Sequence, residues 1–86
     1  MKGRDLVAWN LRRLRVEREL SQDALALEAD VDRTYVGRLE RGLENPTVGV
    51  LDRLASALQV QHTELFLEPA KGSPRPATLR AGRKAR

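Results

Sequence analysis

At 86 residues the chain has room for one domain. Its apolar residues are mostly Leu, Ala and Val, with one Trp, one Tyr and one Phe, which favours packed helices over sheet. No cysteine is present, so disulfides and thiolate metal sites are excluded, and His62 alone cannot build a metal cluster. No apolar run approaches a membrane span, and the start of the chain lacks a signal-peptide core. A reducing cytoplasm is the expected compartment, and no cofactor or membrane partner is implied.

The net charge of +4 invites a nucleic-acid reading, but its distribution undercuts the simple version. From Ala70 onward there are six basic residues and no acidic ones, whereas residues 1–69 hold ten basic against twelve acidic, a net of −2. The expected division is a folded unit over residues 1–69 and a disordered basic tail over 70–86, where Gly and Pro breaks cluster. The tail reads either as extra phosphate contacts or as a solvated end.

The first helix is expected from about Arg4 to Arg18, with Val7, Leu11 and Leu14 as its buried stripe. Trp9 lies nearly opposite Leu11 and reads as an isolated apolar residue or a small second patch. Ser21 caps a short second helix, with Asp23 in its first turn and Leu25 and Ala29 facing inward. Asp30 is expected in the left-handed region, which Asp tolerates better than most residues. Asp32 caps a third helix with Val36 and Leu39 inward, and Gly42 ends it. Asn45-Pro46-Thr47 turns the chain into a fourth helix, whose stripe is Val48, Leu51, Leu54, Ala55 and Leu58. A short fifth helix spans His62 to Leu67, and Pro69 stops it.

The informative stretch is residues 21–41. Two short capped helices joined by about three residues must cross steeply, and the second then projects its N-terminal half outward. A helix so presented fits the major groove of DNA, roughly 12 Å wide. Ala26 and Ala29 let the two helices approach closely.

These residues resemble the Cro/phage-repressor, or xenobiotic-response-element, type of helix-turn-helix. The resemblance is carried by Leu14-Arg15, Leu20-Ser21-Gln22, Leu25-Ala26, Ala29-Asp30-Val31, Val36, Leu39-Glu40-Arg41-Gly42 and Asn45-Pro46-Thr47. It continues through Leu51, Leu54-Ala55, Leu58, Val60 and Leu65-Phe66, covering about residues 4–67. It implies an all-α, compact, five-helix lambda-repressor-like DNA-binding domain. It also implies roles: Gln22 on phosphate, and Arg33, Thr34, Tyr35, Gly37 and Arg38 on the outward face of the recognition helix. Arg33 and Arg38 can each present a guanidinium fork to guanine, and Thr34 can meet a thymine methyl or a phosphate. Asn45 and Thr47 match phosphate clamps. Arg15 and Glu40 match a structural pair tying the first helix to the end of the third.

Two positions depart from the family pattern. Asp30 stands where Gly is usual, and Glu44 stands where a basic residue is frequent, setting a carboxylate near the expected phosphates. Gly37, costly inside a helix by roughly 1 kcal/mol relative to Ala, reads either as groove clearance or as tolerated drift. His62 reads as an ordinary surface residue.

The leading functional reading is a sequence-specific transcriptional regulator, a repressor acting as a homodimer on double-stranded DNA with two half-sites. Val60, Leu65, Phe66 and Leu67 are more apolar than a free chain end needs and form the expected dimer surface. The alternative is a protein-interaction module, such as an antitoxin or a regulator's antagonist, with a protein partner in place of DNA. Catalysis is not expected: there is no Cys nucleophile, no metal cluster and no phosphate-binding glycine loop.

Overall fold

A computed structural model describes residues 1–74. The predicted tail falls mostly outside the described residues. Its first part, Ala70 to Ser73, forms a turn closed by the Ser73 amide on the Ala70 carbonyl at 2.9 Å.

Four α-helices, α1 (Gly3–Glu17), α2 (Gln22–Ala29), α3 (Arg33–Glu40) and α4 (Val48–Leu58), are followed by a 3-10 turn, His62–Phe66. Among the described residues there is no strand, and no helix is long and apolar enough to cross a membrane. α1 packs against α3 and the 3-10 turn, while α2 packs against α3 and α4. One core joins them: Val7, Leu11 and Leu14 meet Leu25, Ala29, Val36, Leu39, Leu51, Leu54, Leu58 and Leu65.

Side-chain oxygens start three of the helices. Ser21, Asp32 and Thr47 each accept a hydrogen bond from a backbone amide of the first turn, at 2.9, 2.9 and 3.1 Å. All four helices also end alike. The residues at Glu19, Asp30, Gly42 and Gln59 take positive φ, at 56°, 59°, 73° and 59°. In each case the next amide (Leu20, Val31, Leu43, Val60) reaches back to a carbonyl five residues earlier, closing a Schellman motif.

Two expectations need correction. The fifth helix is a 3-10 turn of five residues, His62–Phe66, too short to settle into the α-helical pattern. Val48 does not join the α4 stripe: it is the first residue after the Thr47 cap and is 72% exposed, leaving Leu51, Leu54, Ala55 and Leu58 as the buried face.

Asn10, a polar residue on the buried face of α1, ties the turn in place. Its Nδ2 lies 3.0, 3.1 and 2.8 Å from the carbonyl oxygens of Leu6, Leu65 and Leu67, and its Oδ1 accepts from Arg13 Nε at 3.1 Å. Backbone carbonyls at the end of the folded unit are thereby satisfied inside the protein.

Candidate nucleic-acid interface

The α2–α3 unit is set by its connection. Asp30 takes the left-handed conformation, Val31 N–H returns to the Ala26 carbonyl at 3.0 Å, and Asp32 begins α3. Val36, Leu39 and Glu40 then face the core. On the opposite side, Arg33 and Thr34 are exposed and Tyr35, Gly37 and Arg38 are half-buried. The structure thus brings the expected recognition residues onto one outward face. Asn45 and Thr47 are exposed at the start of α4 beside it. Thr47 Oγ1 caps that helix, so its hydroxyl hydrogen stays free to donate, and the opening amides of α4 favour an anion.

Arg33, Arg38 and Gln22 each have a partner within the protein. Arg33 Nη1 lies 3.2 Å from both carboxylate oxygens of Asp23, and the two side chains are 68% and 65% exposed. A pair so open to water is weakly held. Arg38 Nε donates to Glu44 Oε2 at 2.6 Å, with the side chains 44% and 29% exposed. Gln22 Nε2 donates to Glu40 Oε1 at 3.1 Å, and its Oε1 lies toward Gly37.

Glu40 is the hub beneath this face. Its carboxylate takes Arg15 Nε at 2.6 Å and Arg15 Nη2 at 3.0 Å, Arg12 Nε at 3.2 Å and the Gln22 amide. Arg15 Nη1 also donates to the Leu20 carbonyl at 2.8 Å. Burial pushes the Glu40 carboxyl up, but the hydrogen bonds and charge of Arg15, with Gln22 and Arg12, outweigh it and hold the pKa below the ordinary value. Arg15 and Glu40 therefore fix the inner side of α3 to α1.

Three contributors were missed by sequence reasoning. Arg41, exposed at the end of α3, approaches Gly37 along the outer face, and Arg53 of α4 lines a shallow groove with Tyr35 and Arg38. Neither is ion-paired among the described residues. Arg53 lies three residues after Val50, a spacing that puts both on the side of α4 facing α3. The third, Asn10, was signalled by a polar residue three positions after Val7 on the apolar stripe. Tyr35 keeps its phenol proton firmly, since burial and the Glu44 charge raise its pKa more than Arg53 lowers it.

Of the expected dimer surface, Phe66 and Leu67 are 43% and 46% exposed and Val60 is half-buried. Leu65 is fully buried, because it fills the chain's own core between α1 and α4, so it is not part of an outer surface. Trp9 is half-buried and lines a shallow groove with Leu67 and Pro69. His62 Nε2 lies 2.6 Å from Asp52 Oδ1 at the surface.

Residues 11–65 match the helix-turn-helix family model HTH_3. The chain belongs to this helix-turn-helix family. It is 45% identical over 65 residues to the HTH-type transcriptional regulator y4dJ of Sinorhizobium fredii, covering 76% of this chain and 84% of the relative. Among solved structures, it is similar to the restriction-modification controller protein C.AhdI from Aeromonas hydrophila. That match has a TM-score of 0.71 and 40% identity, over 73% of this chain and 96% of the other. It is also similar to C.Esp1396I bound to a 25 base pair operator site, with a TM-score of 0.69 and 27% identity, over 77% and 87% of the two chains. C.Esp1396I is further known as a tetramer in complex with its natural 35 base-pair operator. The family is one of DNA-binding transcriptional regulators, not enzymes. Of the two functional readings left open by the sequence, it supports the regulator.

Proposed function

We propose that the protein is a sequence-specific transcriptional regulator that reads operator half-sites in the major groove through α3. It acts as a homodimer and, by occupying its operator, as a repressor. The observation that carries this reading is the outward face of α3. Arg33, Thr34 and Arg38 stand on a helix whose inner side is locked to α1 and α2, so base-reading groups are presented on a rigid support. Asn45, the Thr47 hydroxyl and the first amides of α4 are assigned to phosphate, with Gln22, Arg41 and Arg53 adding to the backbone grip.

A single α3 reads only a few base pairs, so two half-sites about one helical turn apart are required for specificity. Phe66 and Leu67, with the exposed edge of Val60, are assigned to the contact between protomers. The outer carboxylates Asp23 and Glu44 keep net charge at the face low, so discrimination rests on base contacts more than on bulk attraction.

The test is selection of bound sequences from random DNA at a stated salt concentration, with molecular mass measured in parallel. A dyad-symmetric site and a dimer mass are expected. Arg38→Ala should fold normally and lose about 1–3 kcal/mol of discrimination at one base position of each half-site. A folded Arg38→Ala protein that treats operator and random DNA as the wild type does would sink the assigned readout.

A further inference from the structure

The acidic residue at position 44 stands where a basic one would aid phosphate binding, and a carboxylate beside a reading arginine looks like a competitor for it. The geometry gives it a different duty. A guanidinium has two edges able to make paired hydrogen bonds, the side edge through Nε and the terminal edge of Nη1 and Nη2. Glu44 takes Arg38 at Nε alone, at 2.6 Å, and no other hydrogen bond engages that guanidinium among the described residues. The terminal edge is left whole. At Arg33 the arrangement differs: Asp23 sits on Nη1, a terminal nitrogen, so that carboxylate does obstruct the terminal edge.

The backbone puts Glu44 there. Gly42 takes φ of +73°, and the Leu43 amide closes on the Arg38 carbonyl at 3.0 Å, which folds the segment after α3 back beside Arg38. Pro46, two residues on, restricts the chain beyond. Glu44 is also the more sheltered member of the pair, 29% exposed against 44% for Arg38, so it acts as the fixed support and Arg38 as the arm.

We propose that Glu44 is a positioning residue for base readout, gripping Arg38 by Nε and presenting the terminal Nη1–Nη2 edge to a single guanine. A carboxylate that had to be displaced on binding would weaken the operator complex by the value of the lost pair, while complexes at wrong sites kept theirs, so it would lower discrimination. A carboxylate retained in the complex does the opposite. The rotamer of a long side chain is fixed before binding, and the ordering cost falls only where the partner base matches the presented edge. The inference rests on the assignment of Arg38 to base readout.

The test measures affinity for the selected operator and all its single-base variants at fixed salt, using Arg38→Ala, Glu44→Ala, Glu44→Gln and the Arg38→Ala/Glu44→Ala double variant. Circular dichroism confirms that each is folded. Both Glu44 variants should bind all DNA somewhat more tightly, since a charge facing phosphate is gone, so the readout is the ratio between bases at one position. Glu44→Ala should relax discrimination by about twofold to tenfold, at the same position that Arg38→Ala relaxes and nowhere else. Glu44→Gln, whose amide oxygen still accepts from Nε, should retain most of it. In the Arg38→Ala background, Glu44→Ala should have no effect at that position. Unchanged or sharpened discrimination in Glu44→Ala, with Arg38→Ala relaxed as expected, overturns the positioning role alone. An Arg38→Ala protein relaxed at no position overturns the readout assignment and this inference with it.

Discussion

Two arginine–glutamate pairs lie on opposite sides of α3, and both have a contact at 2.6 Å. Inside, Arg15 and Glu40 are 4% and 0% exposed, the guanidinium is bonded along its whole side edge, and Arg12 and Gln22 complete the shell. Outside, Arg38 meets Glu44 through one nitrogen, in partial contact with water. Distance does not separate them; burial and the number of satisfied donors do. A buried charge cannot recover its hydration if its partner leaves, so the inner pair is an obligation of the fold. The outer pair leaves donors free, so it remains available to a ligand.

The largest test of this contrast is Glu40→Ala. It strands Arg15 in the core and removes an acceptor from Arg12 and Gln22, so a loss of about 3–5 kcal/mol in urea unfolding is expected. Glu44→Ala should stay within about 0.5 kcal/mol of wild type in the same assay, as surface substitutions do. Equal losses at the two sites would erase the distinction between inner and outer pairs. Acid sharpens it further. Glu40 has its pKa lowered in the folded protein, so the unfolded chain binds more protons as pH falls through the ordinary carboxyl range. Its contribution is complete above that range and drains away on acidification through the depressed folded value. The urea midpoint should therefore fall in acid, and Glu40→Gln should flatten that fall.

Much of this contrast was legible in the sequence and part was not, for identifiable reasons. Caps and apolar spacing reveal elements directly, because one residue type at one place carries the signal: Ser21, Asp32 and Thr47 start helices where expected. The C-terminal turns were half legible. Gly42 and Asp30 were readable by type, whereas Glu19 and Gln59 take positive φ although neither favours it. There the signal lies in the next residue, Leu20 or Val60, whose apolar side chain packs on the core and closes the motif. Val48 was misplaced because helical periodicity does not say where a stripe begins. Arg53, and the pairing of Glu44 with Arg38, were hidden because their neighbours at the interface come from another helix or a folded-back loop. No spacing within one element encodes that.

Asn10 supplies the intermediate test. It belongs with the inner pair by burial, yet it is neutral and serves carbonyls instead of a charge. Asn10→Ala leaves the Leu65 and Leu67 carbonyls without their side-chain donor, costing about 1–3 kcal/mol. A loss smaller than that of Glu40→Ala is expected, since no ion is stranded. Because the carbonyls hold the segment bearing Phe66 and Leu67, the variant should also weaken the proposed homodimer at a given concentration. Sedimentation with unchanged dimerisation would detach the 3-10 turn from the protomer contact.

A small stabilising change is the most diagnostic for the outer side of α3. Gly37 sits in the helix interior, where Ala is favoured by about 1 kcal/mol. A β-carbon added there would lie 3.6 Å from Gln22 Oε1 and 4.0 Å from Arg41 Nη1, ordinary contact distances, so nothing inside the protein opposes it. Gly37→Ala should therefore raise the urea midpoint by the corresponding amount. The same methyl projects from the face assigned to DNA, between Gln22 and Arg41. With stability raised, any loss of operator affinity must come from the bound complex and measures how near the helix backbone lies to the bases at this point. Affinity that stays level places the close contacts at Arg33 and Arg38 instead, with the middle of α3 standing clear of the groove floor. A fall in stability would contradict the packing around Gly37 itself, and with it the position of Gln22 between the buried carboxylate and the outer face.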